Sequence, residues 1–313
     1  MSDKRATERL GPDAAGIARA AALLDAGGLV ALPTETVYGL AARADRAAAV
    51  AAIYRAKGRP DFNPLILHVP GLAAAGSLAV LDDRARLLAD RFWPGPLTLV
   101  LPLRAGAAIS PAVTAGLPTI ALRCPAHPIM RAVLTATALP LAAPSANRSG
   151  TVSPTTAAHV LATLDERIDA VLDGGACAGG IESTIVALRE TGWQLLRQGP
   201  VTLTDLEPLL GAPTPVTSAR IEAPGQLAQH YSPGKPVRLG AQCGEDDEFL
   251  IGFGAIAGDC TLSAGGDLAE AAAQLYACLH AAAASDRPRV AIAPVPQSGI
   301  GAAINDRLRR AAS

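Results

Sequence analysis

Hydrophobic and polar positions along the chain follow two different periods, and their succession predicts an α/β protein. Apolar runs of strand length recur between segments that carry the 3.6-residue repeat of an amphipathic helix. Strands interleaved with helices favour a sheet with helices packed against it, with antiparallel pairs where the connections are short. The clearest predicted strands are 65–69, 97–103, 119–124, 183–188 and 193–199, and the clearest predicted helices are 13–26, 45–58, 82–93 and 127–138.

The periodic pattern breaks between residues 211 and 236, where five prolines replace the regular apolar spacing. Such a stretch is typical of a linker or an extended covering loop. A second strand and helix pattern follows it. The predicted organisation is an N-terminal tail (1–12), a large α/β domain (13–210), a linker or lid (211–236) and a smaller Rossmann-like α/β domain (237–313).

Composition narrows the functional classes. Lys and Arg total 27 against 28 Asp and Glu, and aromatic residues make up 3% of the 313 residues. A dedicated nucleic-acid binder usually has a basic surface and stacking aromatics, so any anion site here must be local. The five cysteines are scattered without a Cys-x-x-Cys pair, which predicts neither a disulfide framework nor a zinc site. No apolar run reaches the ~18 residues of a membrane span, so a soluble cytoplasmic protein is expected.

The stretch RAKGRPDFNPLILHVP (55–70) concentrates candidate chemistry. Two prolines stiffen the loop, which would present Arg59 and Asn63 to phosphate oxygens with Lys57 close by. His68 lies at the carboxyl end of the following strand, where open α/β sheets place ligands. A helix C-cap with solvated cations and an ordinary core histidine are the alternative interpretations.

The same arrangement recurs elsewhere, because several strands end in a hydroxyl, amide or cationic side chain flanked by Gly or Pro. Together these ends predict one concave polar site. A Walker-type phosphate loop is absent from the sequence, so the site must be assembled from dispersed pieces. The side chains concerned are Thr34, Thr36, Arg123, Ser145, Asn147, Ser183, Thr184 and Arg197.

Seven motifs occur in the order seen in the YrdC-like domain of L-threonylcarbamoyladenylate synthases, and over residues 14–210 the chain resembles that family. The motifs are LPTETVYGL, AIYRAKGRPDFNPLILHV, FWPGPLTLVL, APSANRSGTVSPTTAAHV, LDGG, GGIESTIV and LLRQGP. The segments APGQLAQHYSP and VPQSGIGAAINDRLRRA resemble the two-domain form of the enzyme.

The resemblance implies a twisted mixed sheet around a positive cavity, and synthesis of threonylcarbamoyl-AMP and pyrophosphate from L-threonine, bicarbonate and ATP. Magnesium would accompany the ATP, without metal-ligating side chains, and the product would pass to the tRNA threonylcarbamoyl-transfer machinery. Lys57 and Arg59 would serve catalysis. The threonine would contact Thr36, His68, Arg123, Ala143 and Ser183. The ATP would contact Lys57, Arg59, Asn63, Thr119, Ser145, Asn147, Ser153, Arg197 and Tyr231.

One departure from the family pattern concerns the linker. The family often carries a Lys or Arg before the His-Tyr pair, whereas here Gln226, Leu227, Ala228 and Gln229 precede His230. Two other functions remain open from the residues alone. The first is an RNA-binding module that uses the same basic cavity, with weak RNA affinity. The second is carbamoyl transfer from carbamoyl phosphate.

Overall fold

The computed structural model describes residues 6–216, 221–224 and 230–313, which form two sheets with helices packed against them. The larger sheet has ten strands in the order β1-β8-β2-β3-β7-β4-β6-β5-β9-β10. These are β1 (Glu8–Leu10), β2 (Val30–Leu32), β3 (Gly39–Arg43), β4 (Ile66–His68), β5 (Leu97–Pro102), β6 (Thr119–Arg123), β7 (Leu141–Ala142), β8 (Ala170–Leu172), β9 (Thr184–Leu188) and β10 (Trp193–Arg197). Its helices are α1 (Ala14–Asp25), α2 (Ala47–Lys57), α3 (Leu72–Leu78), α4 (Asp83–Phe92), α5 (Pro128–Thr137), α6 (Ala157–Leu164) and α7 (Leu203–Leu210).

The smaller sheet is parallel, with strand order β11-β14-β12-β13. Its elements are β11 (Val237–Leu239), β12 (Glu248–Gly252), β13 (Cys260–Thr261), α8 (Leu268–Ala284), β14 (Arg289–Ile292) and α9 (Gly301–Ala311). The predicted α/β class and the smaller Rossmann-like domain are confirmed. The large sheet mixes parallel pairs, such as β4 with β6, and antiparallel pairs, such as β5 with β6.

The N-terminal segment differs from its prediction as a tail. Residues 8–10 form β1, which pairs in parallel with β8 and makes the edge of the large sheet. The Thr7 hydroxyl donates to the Ile168 carbonyl oxygen at 3.3 Å. Three residues are too few to show a strand period, and their partner lies about 160 positions along the chain, so local pattern alone does not reveal this strand.

The end of α2 explains how the loop with the two cations leaves the helix. Alanines favour the helical conformation along α2, and its last turn carries Arg55 and Lys57, whose charges suit the helix dipole. Gly58 then takes the left-handed conformation with φ 59°, which glycine adopts without steric cost. The chain therefore turns sharply, and Arg59 begins the loop that leads into β4.

The core of the large domain lies against its central strands. Leu40, Leu67, Leu99, Leu122 and Val186 come from five different strands and all are fully buried. Burying a leucine side chain contributes about 1.5–3 kcal/mol. The strand ends that carry the polar side chains are therefore fixed to a rigid sheet.

The two domains share an apolar cluster. Val37, Val152 and Ile181 of the large domain pack in the same cluster as Tyr276 and Leu279 of α8. The smaller domain thus rests on the large one through buried apolar surface, next to the loops that follow β2 and precede β9.

Cysteine chemistry departs from the sequence-based expectation in one place. Cys260 of β13 and Cys278 of α8 form a disulfide, although their spacing follows no known motif. The prediction of no disulfide was wrong for this pair, since two cysteines 18 residues apart meet only through the packing of a helix on a strand. Over the described ranges, no helix is long and apolar enough to cross a membrane.

Candidate active site

A cavity lies where the carboxyl ends of β4 and β6 meet the loops around residues 145 and 183. His68 and Arg123 are register partners at the ends of these parallel strands, which explains why they meet. Nine of the residues predicted for the site line the cavity: Thr36, Arg59, His68, Arg123, Ala143, Ser145, Ser183, Arg197 and Tyr231. The remaining lining residues are Val37, Ile66, Pro144, Glu182, Pro224 and His230.

One wall is built around Arg123. Its guanidinium donates from Nη2 to Glu35 Oε1 at 2.6 Å and from Nη1 to the Thr36 hydroxyl at 2.9 Å. Burial alone would raise the pKa of Glu35, but the charge and hydrogen bond of Arg123 hold that pKa below its usual range. Residues 35–37 form a bend between β2 and β3, where the Thr34 hydroxyl donates to the Val37 carbonyl oxygen at 2.6 Å. The Glu35–Arg123 pair therefore fixes one end of the cavity without adding net charge.

Lys57 supports the loop that contains Ser145. Its buried ammonium donates to the carbonyl oxygens of Ser145, at 2.5 Å, and Asn147, at 2.6 Å. Burial, followed by the charge of Arg59, lowers the pKa of Lys57 well below its ordinary value. Lys57 does not line the cavity but fixes the backbone of the loop that does. Its charge is therefore separated from the cavity by that loop.

Arg59 and Arg197 bring positive charge to the cavity directly. Arg59 donates to the carbonyl oxygens of Asn63, at 3.3 Å, and Pro64, at 3.0 Å, and burial lowers its pKa to about 10. Arg197 donates to the Ser183 carbonyl oxygen at 3.0 Å and to the Ser183 hydroxyl at 3.1 Å. Within the described ranges, neither arginine forms an ion pair with a carboxylate. Both therefore keep their charge available.

Several buried polar atoms beside these cations have no protein partner among the described residues. They are both ring nitrogens of His68 and the side-chain oxygens of Asn63 and Asn147. Burial, followed by the charge of Arg123, lowers the pKa of His68 well below its ordinary value, so the ring is neutral. An unsatisfied buried group costs about 1–3 kcal/mol. Of these residues His68 lines the cavity, and a polar ligand that supplies partners to its ring nitrogens would recover that free energy.

The other predicted residues lie away from the cavity lining. Thr119 is at the amino end of β6, four residues from Arg123, or about 13 Å at the usual rise of a strand. Asn63 and Asn147 lie one layer behind Arg59 and Ser145, where the Asn147 amide nitrogen donates to Thr151 at 2.9 Å. Ser153 donates to Glu182 Oε1 at 2.6 Å and faces the smaller domain.

Tyr231 closes the cavity from the segment between the domains. It is 1% exposed and has a positive φ of 66°, which is uncommon for a bulky residue. Its neighbours hold it from both sides, since the His230 N–H donates to the Arg310 carbonyl oxygen and the Ser232 N–H donates to the Gly150 carbonyl oxygen. The departure at residues 226–229 lies outside the described residues.

Sequence reasoning missed Glu182, His230 and the contributions of the smaller domain. Glu182 stands inside the motif GGIESTIV, and a carboxylate next to Ser183 was the available signal. Its partners Tyr276 and Arg307 lie 94 and 125 positions further along the chain. A contact between residues so far apart produces no repeating pattern in the sequence from which it could be predicted. Only the fold brings them together.

The mixed sheet and the buried cationic cavity define the class of protein: an α/β enzyme for anionic, nucleotide-like substrates, with a second α/β domain packed behind Tyr231 of the cavity wall. Comparison with known proteins agrees with this class. A family profile described as "Telomere recombination" matches residues 22–199, and one described as "Threonylcarbamoyl-AMP synthase, C-terminal domain" matches residues 201–313. The chain belongs to the threonylcarbamoyl-AMP synthase family.

Individual relatives support this membership. The threonylcarbamoyl-AMP synthase of Bacillus subtilis (strain 168) is 38% identical, with 98% of this chain and 95% of that protein covered. The Pyrococcus abyssi enzyme is 37% identical over 93% of this chain and 92% of its own length. Among solved structures, P. abyssi Sua5 complexed with L-threonine superposes with a TM-score of 0.88 at 35% identity, covering 98% of this chain and 97% of that one. Escherichia coli YciO shares the fold of the large domain, with a TM-score of 0.54 at 21% identity over 62% of this chain and 95% of its own.

Proposed function

We propose that this chain condenses L-threonine, bicarbonate and ATP into threonylcarbamoyl-AMP and pyrophosphate, in the cavity between β4, β6 and Tyr231. The observation that carries the proposal is the uneven charge of the cavity. Arg123 is neutralised by Glu35, whereas Arg59 and Arg197 bind only uncharged protein oxygens among the described residues. Arg59 and Arg197 could pair with the phosphates of ATP. The P. abyssi relative was solved in complex with L-threonine, which supports an amino-acid subsite in the same cavity.

The threonine would lie at the end of the cavity that holds His68, Arg123, Thr36 and Ser183. Ile66, Val37 and Ala143 supply the apolar part of the same wall and would contact the threonine methyl group. Losing one methyl group in an apolar pocket costs about 1–3 kcal/mol, so serine should be a poorer substrate.

The reaction proposed here needs no nucleophilic side chain. The threonine amine forms the carbamate in one of two ways: it adds to carbon dioxide and releases a proton, or it adds to bicarbonate, whose C–O bond breaks as water leaves with one amine proton. An oxygen of the carbamate then attacks the α-phosphorus of ATP. The bond from that phosphorus to the bridging oxygen breaks, and pyrophosphate leaves with the electron pair. The tasks of the protein are to align the two reactants, exclude water from the short-lived carbamate and balance phosphate charge. Arg59, Arg197 and, through its loop, Lys57 serve the last task.

Magnesium is proposed to arrive on the phosphates of ATP. The described residues contain no cluster of three His, Cys, Asp or Glu side chains that could hold a metal ion. Glu35 and Glu182 are each occupied by an arginine. Magnesium commonly binds through substrate phosphates and water with few protein ligands, which fits this inventory.

We further propose that the segment 211–236 acts as a lid, with the large domain over 13–210 and the smaller one over 237–313. The product would pass, in the cytoplasm, to the machinery that transfers the threonylcarbamoyl group to tRNA. The alternative of an RNA-binding module has less support, because the cationic cavity is small and enclosed, and RNA modules use open surfaces with stacking aromatics.

The test is pyrophosphate release by the full chain with ATP, L-threonine and bicarbonate, each omitted in turn. Release should require all three, and the nucleotide product should carry the threonylcarbamoyl group by mass spectrometry. Equal release without threonine would refute the proposal. Salt-sensitive RNA binding without any turnover of ATP would favour the RNA module instead.

A further inference from the structure

Glu182 joins the cavity wall to the smaller domain. One carboxylate oxygen accepts from the Ser153 hydroxyl at 2.6 Å. The other accepts from the Tyr276 hydroxyl at 2.8 Å and from Arg307 Nε at 3.1 Å. Tyr276 belongs to α8 and Arg307 to α9, so one buried carboxylate holds two helices of the smaller domain against the large one.

The same two side chains also pack against Tyr231. The Tyr276 ring stacks on the Tyr231 ring with centroids 5.5 Å apart, and the Arg307 guanidinium carbon lies 5.6 Å from the Tyr231 centroid. Tyr231 has a left-handed backbone conformation, which a bulky residue keeps only when its surroundings determine it. The Glu182 contacts therefore fix the two surfaces that hold this ring in the wall.

We propose that Glu182 is a positioning residue for the reaction: by fixing Tyr276 and Arg307 it holds Tyr231 in the cavity wall and so sets the affinity for ATP. The inference rests on the proposed function. It gives the smaller domain a role at the site, although no residue of 237–313 lines the cavity.

Electrostatics alone predicts the opposite effect, which makes the idea testable. Glu182 adds a negative charge to a cavity that would bind a polyanion, so replacing it with the neutral Gln should strengthen ATP binding if charge alone mattered. A positioning role predicts weaker binding, because Arg307 loses the Glu182 carboxylate that ties it to the cavity wall and keeps only Asp306, its neighbour on α9, so it holds the Tyr231 ring less firmly. The sign of the change in KM for ATP therefore separates the two effects.

The experiment measures KM for ATP, KM for threonine and kcat by pyrophosphate release for the parent and for Glu182→Gln. We expect KM for ATP to rise roughly tenfold, the size of a lost charged hydrogen bond, while KM for threonine changes less than twofold. The double variant with Tyr231→Ala should show the same KM for ATP as Tyr231→Ala alone, because residues that act through one another are not additive.

Glu248→Gln is the matched control. Glu248 is another buried carboxylate held by an arginine, Arg238, but it lies on β12 and outside the cavity. Its replacement should lower the melting temperature without changing KM for ATP. If Glu182→Gln is too unstable to assay, Arg307→Lys tests the same link, since lysine keeps the charge but loses the planar face on Tyr231.

A KM for ATP that is unchanged or lower in Glu182→Gln overturns the inference, as does an equal rise in Glu248→Gln. Additive effects in the double variant would show that Glu182 acts by a route other than Tyr231, which also overturns it. Failure of the proposed function is distinguishable, because the parent protein itself would then release no threonine-dependent pyrophosphate.

Discussion

Acidification should weaken the contact between the two domains through His280 of α8. Its ring stacks on His159 of α6 with centroids 3.8 Å apart, and its Nε2 donates to the Ser153 carbonyl oxygen at 3.1 Å. Burial, followed by the charge that His159 would carry, lowers the pKa of His280 to about 4. The folded protein therefore keeps this ring neutral at a pH where an unfolded chain would protonate it.

The magnitude follows from the two pKa values. An unfolded histidine has a pKa near 6.5, so at pH 5 the unfolded chain binds almost one proton at this position and the folded chain about a tenth of one. Between pH 8 and pH 5 the free energy of unfolding should fall by about 2 kcal/mol on account of His280. The stabilisation is complete above pH 6.5 and is lost as the pH falls towards 4.

The assay is urea denaturation of the parent and of His280→Gln at pH 8 and pH 5. The variant lacks the titrating ring, so its loss of stability between these two pH values should be smaller by about 2 kcal/mol. An NMR titration of the histidine ring protons, assigned with the same variant, should place His280 near pKa 4. A pKa near 6.5 or an identical pH dependence in the two proteins would refute the reasoning.

Three further outcomes are expected. Arg59→Ala should raise KM for ATP by tenfold or more, since a charged donor worth roughly 1.5–3 kcal/mol is lost, whereas His68→Ala should chiefly raise KM for threonine; titrations in which both variants bind both ligands like the parent would contradict the site. Cutting the chain after Leu210 should abolish most pyrophosphate release, and Tyr231→Ala in the full chain should reproduce much of that loss; a truncated domain with the full-length rate would make the linker a simple tether. Lys57→Met should lower the free energy of unfolding by about 2 kcal/mol, because the buried carbonyls of Ser145 and Asn147 lose their donor; unchanged stability in chemical denaturation would show that this loop does not depend on Lys57.

Local signals predicted the long helices well. α2 and α4 begin and end within two residues of the predicted bounds, because Gly58 closes the first and Asp82 caps the second. Strands β1 and β13 were not predicted. They have three and two residues, and each exists only through pairing with a strand already formed by the rest of the fold.

The candidate site was predictable in part. The strand-end positions of His68 and Arg123 follow from pattern, because carboxyl ends of neighbouring parallel strands lie at one edge of a sheet. The position of Lys57 behind its loop does not follow from pattern. The motif predicts a cation near phosphate, but not that its ammonium contacts the carbonyl oxygens of Ser145 and Asn147. The link from Glu182 to Arg307 is still less accessible, as it depends on how two domains pack.

The cavity keeps its charge because of the kind of partner that each cation has. Arg59, Arg197 and Lys57 are buried, which is costly for a charge, yet their hydrogen bonds go to backbone carbonyl oxygens and, for Arg197, also to the Ser183 hydroxyl. A carbonyl solvates a cation without neutralising it, whereas a carboxylate would cancel the field that a polyphosphate needs. Arg123 and Arg307 have carboxylate partners and so serve mainly to hold structure. The choice of partner thus divides these four buried arginines into two that leave positive charge in the cavity and two whose charge is balanced by a carboxylate. In the proposed reaction the first two would stand in place before charge develops on the phosphates.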